Sequence, residues 1–329
     1  MNDDKSNADR QDDPESSDPK PEHFRVEGSP CQGYRFTPSG MPRAAIHITH
    51  GLAEHALRYQ PLASALNAQG WIVTMHDQRG HGATAEKEEA LGHFADKDGW
   101  RSAVDDLRKF VAQLKADHPD LPCVVFGHSM GSMITQDYLS SSRISQLAAA
   151  VLSGVAGPPP PLAHAGRAVA RVERWRQGPQ GRSAILRELG FGSYNRAFKP
   201  NRTSSDWLSK DPAEVDKYIN DPLCGFDASN QFWIDMLDNI VEFNRPHRLA
   251  QIPRDLPIYV FAGDQDPVGQ QGVGVRKLVD ALRGAGVARV DAKLYPMGRH
   301  EMLNEINREE VVADLIKWLG DLGLPPKEE

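Results

Sequence analysis

Short apolar, β-branched runs alternate along this chain with stretches of helical period, and that alternation constrains the fold more than any other feature. The runs are RAAIHIT (43–49), WIVTMH (71–76), PCVVFG (122–127), LAAAVLSG (147–154), LPIYVFAG (256–263) and ARVDAKLYP (288–296). Between them lie LRYQPLASALNAQG (57–70), DGWRSAVDDLRKFVAQLKADHP (98–119), SMITQDYLSS (132–141), QGVGVRKLVDALRGAG (271–286) and NREEVVADLIKWLGDLG (307–323). Strands of this apolar kind, separated by helices, predict a mostly parallel sheet covered on both faces. The rhythm breaks at residues 157–250, which open with GPPPPLAH and continue as irregular helical segments. This stretch reads as a helical insertion, with the proline run as a rigid entry. The rest of the body, 23–156 and 251–325, reads as one α/β core.

The net charge of −7 is unevenly spread. Residues 1–22 hold eight acids against three bases and almost no large apolar side chain, which predicts a disordered acidic tail. The near-neutral remainder has no footprint for nucleic acid. No apolar run approaches the length needed to cross a bilayer, and no secretory signal pattern is present. Cys31, Cys123 and Cys224 lack a C-x-x-C spacing, so neither a disulfide framework nor a zinc site is expected. A cytoplasmic enzyme or binding protein fits these properties.

The stretch VVFGHSMGSMITQDYL (124–139) sets Ser129 between Gly127 and Gly131, after a buried-type strand and before a helix. A serine hydroxyl needs a base and a rigid setting to act as a nucleophile. A sharp strand-to-helix turn supplies that setting and leaves room only for very small flanking residues. The alternative is a helix N-cap between two incidental glycines. The nucleophile reading requires an acid and then a histidine further along the chain. Asp264 and Asp266 both follow the 256–263 strand; Asp266 is preferred, because Pro267 and Val268 would fix its loop. His300 follows the last strand. His50–Gly51 after the first run would turn the chain so that the Leu52 N–H, with that of Met130, meets a developing oxyanion. His47, His50, His55, His76 and His81 are read as structural rather than as metal ligands. His47 and His50 lie three apart and face opposite sides of a strand, and no H-x-x-x-H helix accompanies them.

Taken together, HGLAEHALRY, HDQRGHG, GHSMGS, AGDQDPVG and GRHEMLNE resemble the monoacylglycerol lipase and lysophospholipase branch of the α/β-hydrolases. The resemblance implies an α/β-hydrolase fold: a mostly parallel eight-stranded sheet flanked by helices, with a helical cap (157–250) inserted after the sixth strand. It implies a serine carboxylesterase, lipase-like, acting on acylglycerol- or lysophospholipid-like esters without metal or organic cofactor. Ser129 would be nucleophile, Asp266 acid, His300 base, and Leu52 and Met130 the oxyanion hole. Glu54–His55 and Arg58–Tyr59 match a structural segment, and Asp77 and Arg79 a turn bracing the site floor. Haloalkane dehalogenases share the fold but carry Asp at the nucleophile. The cap departs from its relatives in carrying Arg167, Arg171, Arg174 and Arg176. The first three share a helical face, which is either solvated or attracted to anionic lipid headgroups, a peripheral membrane contact through the cap. Phe191, Trp207, Phe226, Phe232 and Trp233 are candidates for an acyl pocket or simply the cap's own core. Two other functions compete: an amide or peptide hydrolase of the proline iminopeptidase kind, and a non-catalytic binding protein.

Overall fold

The computed structural model describes residues 20–141, 144, 146–159 and 162–324. Most of the expected acidic tail, part of the proline run and residue 325 lie outside them. The described residues form eight strands: β1 (Glu22–Arg25), β2 (Gln32–Phe36), β3 (Ala44–Thr49), β4 (Trp71–His76), β5 (Cys123–His128), β6 (Ala149–Ser153), β7 (Ile258–Gly263) and β8 (Val290–Tyr295). Their spatial order is β1-β2-β4-β3-β5-β6-β7-β8. β1 and β2 pair antiparallel, as do β2 and β4; every other pair is parallel.

The apolar runs become the sheet interior because each strand must bury both faces. Ile46 and Ile48 of β3, with Val124 and Phe126 of β5, point to one side. There they meet helices α1 (Gln60–Asn67) and α10 (Arg308–Asp321). Ala45 and Val125 point to the other side. That side is covered by α2 (Gly99–Asp117), α3 (Met130–Leu139) and α9 (Val273–Gly284). Fully burying one such Val or Ile contributes about 1.5–3 kcal/mol.

β1 and β2 carry no apolar run, and periodicity does not find them. β1 is an edge strand with three of its four residues exposed, and β2 is held by antiparallel pairing with β4. Glu22, assigned from sequence to the tail, opens β1.

Between β6 and β7 stands the cap: α4 (Leu162–Gln177), α5 (Ala184–Arg187), α6 (Pro212–Asn220), α7 (Asn230–Phe243) and α8 (Pro246–Leu249), with short irregular turns. α7 buries Phe232, Trp233, Met236 and Phe243 in the same apolar cluster as Trp100 and Leu107 of α2, so cap and core share side chains. The arginine face of α4 turns toward α7. Arg167 and Arg171 pair with Asp238, and Arg174 donates to Gln231. The cap also leaves large apolar side chains exposed among its charged ones: Trp175 is 85% exposed, and Val172, Ile185 and Leu189 are about half exposed.

The strand order reverses between β3 and β5, which lie side by side although β4 separates them in sequence. Thr49 registers with Gly127, and His128 with Ser153. The loops after β3, β5, β6, β7 and β8 therefore leave one edge of the sheet, where open α/β sheets gather their chemistry.

Candidate active site

β5 ends at His128, and Ser129 turns the chain into α3 with φ 52° and ψ −120°. A non-glycine residue with positive φ is strained, and the surroundings must hold it there. The Ser129 N–H donates to Ser153 O (2.9 Å), and its carbonyl accepts from Ser132 N (2.9 Å). The flanking glycines are a steric requirement. A Cβ on Gly127 would sit 2.4 Å from Gly131 O, and one on Gly131 would sit 2.1 Å from Thr49 O.

The Ser129 hydroxyl lies 2.9 Å from His300 Nε2, and His300 Nδ1 lies 3.0 Å from Asp266 Oδ2. Asp266 is fully buried, and its other oxygen accepts from Val268 N (2.9 Å). Burial by itself depresses the imidazole, but the Asp266 carboxylate, with smaller help from Glu301 and Glu54, outweighs it and leaves the His300 pKa raised. Asp264 does not join this chain; it accepts from Met297 N (2.7 Å) and ties the β7 loop to the β8 loop. His128 stands beside His300, ring centroids 4.9 Å apart. Burial first, and then the neighbouring His300, lower its pKa to about 3, so it stays neutral.

The loop after β3 is fixed on both sides. Gln78 N donates to His50 Nε2 (3.0 Å), so Nδ1 carries the proton and donates to Gly51 O (2.7 Å). Gly51 N donates to Glu54 Oε1 (2.5 Å). A Cβ on Gly51 would lie 3.2 Å from Ser129 Cβ, so the backbone leading to Leu52 passes directly against the serine. Met130, the first residue of α3, has an N–H with no partner earlier in its helix.

Glu54 also accepts from Tyr59 OH (2.8 Å) and Arg58 Nη1 (2.7 Å). Arg58 in turn holds Glu301 through both terminal nitrogens, each at 2.7 Å. Burial raises the Glu301 pKa, but the Arg58 guanidinium more than offsets this and brings it to about 2. The segment after β3 is thus bolted to the loop carrying His300. Asp77 braces the same region, accepting from Tyr34 OH (2.7 Å), Ala56 N (2.8 Å) and Ala83 N (2.7 Å). Arg79 faces away and pairs with Asp106 of α2 (2.6 Å).

Sequence reasoning missed two neighbours of His300. Glu301 stood next to it in GRHEMLNE, but nothing local marked Arg58 as its partner. Trp207 lies with its ring 4.9 Å from the His300 ring. Its carbonyl accepts from His300 N (3.3 Å), and Leu208 O accepts from Glu301 N (2.8 Å), so the cap holds the histidine loop by its backbone. Phe191, Trp207 and Phe226 help line a cavity of about 230 Å³ with Ala53 and Tyr218, whereas Phe232 and Trp233 are buried in the α7 core. A larger cavity, about 410 Å³, lies behind the site between α1 and α10, over Arg58, Glu301 and His128.

His47, His50, His76 and His81 are each hydrogen-bonded within the fold. His47 bonds Thr74 and His76, His50 serves the loop described above, and His81 Nε2 accepts from Ala53 N (3.3 Å).

This sheet order, with a strained residue after β5 and a cap after β6, defines an α/β-hydrolase. Residues 40–307 match the family model described as serine aminopeptidase, S33. The chain belongs to that family. It is 31% identical to the monoacylglycerol lipase of Mycolicibacterium smegmatis over 287 residues, covering 86% of this chain and 90% of that protein. It is 29% identical to the monoglyceride lipase of Mus musculus, covering 70% and 68% respectively. A thermostable carboxyl esterase from Bacillus coagulans, solved with glycerol, superposes with a TM-score of 0.83 at 29% identity, covering 92% of this chain and 98% of the other. The chain is a lipase-like hydrolase within the monoacylglycerol lipase and lysophospholipase-like branch.

Proposed function

We propose that this protein is a serine carboxylic ester hydrolase acting on acylglycerol- or lysophospholipid-like esters through an acyl-enzyme. His300 takes the Ser129 proton as the hydroxyl oxygen attacks the ester carbonyl. Asp266 holds the imidazole in the required tautomer and stabilises its cation. The Leu52 and Met130 N–H groups receive the oxyanion, each such donor contributing about 3 kcal/mol in the transition state. His300 then protonates the leaving alcohol, and water, activated by the same base, releases the acid.

The observation that carries this reading is the hydrogen-bonded chain Ser129–His300–Asp266 at 2.9 and 3.0 Å, seated in a strained turn. A binding protein has no use for that arrangement. The ester preference draws on the monoacylglycerol lipase and esterase relatives. It also draws on the cap carboxylates beside the smaller cavity: Asp227 is paired with Arg187, and Glu188 with Arg196. The exposed Trp175, Val172, Ile185 and Leu189 support contact of the cap with a lipid surface, carried by apolar side chains rather than by the arginine face. A reducing, cytoplasmic location is in keeping with the three free cysteines.

A panel of p-nitrophenyl esters of increasing acyl length, monoacylglycerol, lysophospholipid and aminoacyl p-nitroanilides tests the proposal. Ester turnover is expected, with loss of about 10³-fold or more in Ser129→Ala. Preference for the anilides over every ester, or an undiminished Ser129→Ala, overturns it.

A further inference from the structure

His55, Asp221 and Cys224 come from two parts of the chain that meet where the cap rests on the segment following β3. His55 precedes the short turn Ala56–Tyr59. Asp221 terminates α6, and Cys224 lies in the turn after it, where its N–H donates to Asp221 O (3.0 Å). His55 Nε2 is 2.8 Å from Asp221 Oδ2. One ligand atom from each residue lies within 4.8 Å of both others.

We propose that these three side chains form a binding site for a soft divalent cation of the zinc class, which fastens the cap to the segment carrying Leu52. An imidazole, a thiolate and a carboxylate are the three donor types zinc takes. Bond lengths of 2.0–2.3 Å put tetrahedral ligand atoms about 3.3–3.7 Å apart, so the hydrogen-bonded His55–Asp221 pair must open by about half an ångström, and Cys224 Sγ must close on it by about 1.5 Å at most. The carboxylate is already oriented: Asp221 Oδ1 accepts from Leu223 N (2.8 Å), which leaves Oδ2 facing the other two ligands. Outer contacts of this kind fix a ligand before the metal arrives. The His55 and Asp221 side chains keep 13% and 29% of their surface exposed, enough for an ion to enter and for water to fill a fourth position.

The local charge also balances. On binding, the Cys224 thiol releases its proton to solvent, and thiolate plus carboxylate neutralise the dication. Arg58, whose guanidinium stands over the Tyr218 ring at 5.0 Å, is a cation that acts on Cys224. Both its carboxylate partners, Glu54 and Glu301, outweigh it. The mechanical consequence follows from one neighbouring bond: Gly225 N donates to Ala53 O (3.0 Å), one residue beyond Leu52. Metal in the site would brace the same junction.

Spacing within one residue type does not link His55 to Asp221 and Cys224. Asp221 is 166 positions from His55, beyond the reach of any spacing rule.

Cobalt titration of the metal-stripped full chain tests the proposal without relying on catalysis. One equivalent is expected to bind, giving tetrahedral d–d bands and a thiolate-to-cobalt charge-transfer band that zinc removes by competition. Zinc should raise the melting temperature of the wild type. In Cys224→Ser the charge-transfer band and the zinc-induced shift should vanish, while ester turnover in chelator is retained. In Asp221→Asn and His55→Gln cobalt affinity should fall at least about tenfold; these variants carry the test if Cys224→Ser does not fold. Absence of the charge-transfer band at saturating cobalt, or its persistence in Cys224→Ser, overturns the site.

Discussion

Arg58 grips Glu301 with both terminal nitrogens at 2.7 Å, while the same guanidinium donates to Glu54 at 2.7 Å. One cation therefore sits between two buried carboxylates, one on the segment after β3 and one beside His300. Arg58→Ala would leave both acids facing each other without compensation. A loss of about 3–5 kcal/mol is expected in urea unfolding, the usual result of stripping one partner from a buried pair. Glu301→Gln keeps the shape and should lose far less stability, lowering kcat more than it raises KM. Equal stability losses in the two variants would contradict this account.

The pKa of His300 is raised chiefly by Asp266 against the pull of burial, and in the proposed mechanism this imidazole must be neutral to accept a proton. The acid limb of kcat/KM should therefore lie above pH 6.5, the ordinary histidine value. In Asp266→Asn burial is opposed only by the weaker pull of Glu301 and Glu54, so the limb should move to lower pH while the rate drops by about 10⁴-fold. A pH–rate profile of both proteins checks this, and an acid limb that stays in place would count against it.

Burial lowers His76 to about 4, His81 to about 4 and His128 to about 3. Their folded values lie below the unfolded one, so they contribute stability above about pH 6.5 that is lost as pH falls toward 4. Each costs about 1.4 kcal/mol per pH unit inside that window. His300 acts in the opposite sense: its contribution is complete below about pH 6.5 and is lost as pH rises through its folded value. His76 stacks on Phe110 at 4.5 Å and meets His47 Nε2 at 2.9 Å. In His76→Gln, stability measured by urea unfolding between pH 6.5 and 5 should fall less steeply by about 1.4 kcal/mol per unit. An unchanged slope would refute the assignment.

Gly131→Ala places a methyl group 2.1 Å from the Thr49 carbonyl, in backbone with no flexible neighbour to give way. It should destabilise the fold by several kcal/mol and displace Ser129 from His300. Gly320→Ala, where nothing lies within 4 Å, should be near neutral. Thermal melting of the two variants side by side provides the comparison.

Trp175 is 85% exposed on the cap with Val172 one turn away. Trp175→Ala should weaken flotation with liposomes and slow hydrolysis of dispersed long-chain substrate. Turnover of a soluble short-chain ester should not change. A uniform loss on both substrates would assign the residue to folding instead.

β3 to β7 were legible because a strand buried along its whole length is mostly apolar, and β8, which leaves Asp291 to Leu294 partly exposed, was legible from its place in the alternation. β1 and β2 were not, because EHFR and QGYRF are held at an edge by pairing rather than by hydrophobic content. The arginines of α4 were visible as a face. That the face meets Asp238 and Gln231 depends on α4 packing on α7, which no periodicity reports.

The chain itself determined the alternation of elements, the glycines that a strained Ser129 requires, and the chain order of serine, acid and histidine, since these follow from local sterics and burial pattern. Only the tertiary structure decided which groups touch. Strand order brings the segments after β3, β5, β6, β7 and β8 to one edge, and there Arg58 finds Glu301, Trp207 covers His300, and Cys224 approaches His55. Such contacts join residues far apart in sequence. They exist because a shared sheet fixes the ends of its strands relative to one another, which no stretch of chain does alone.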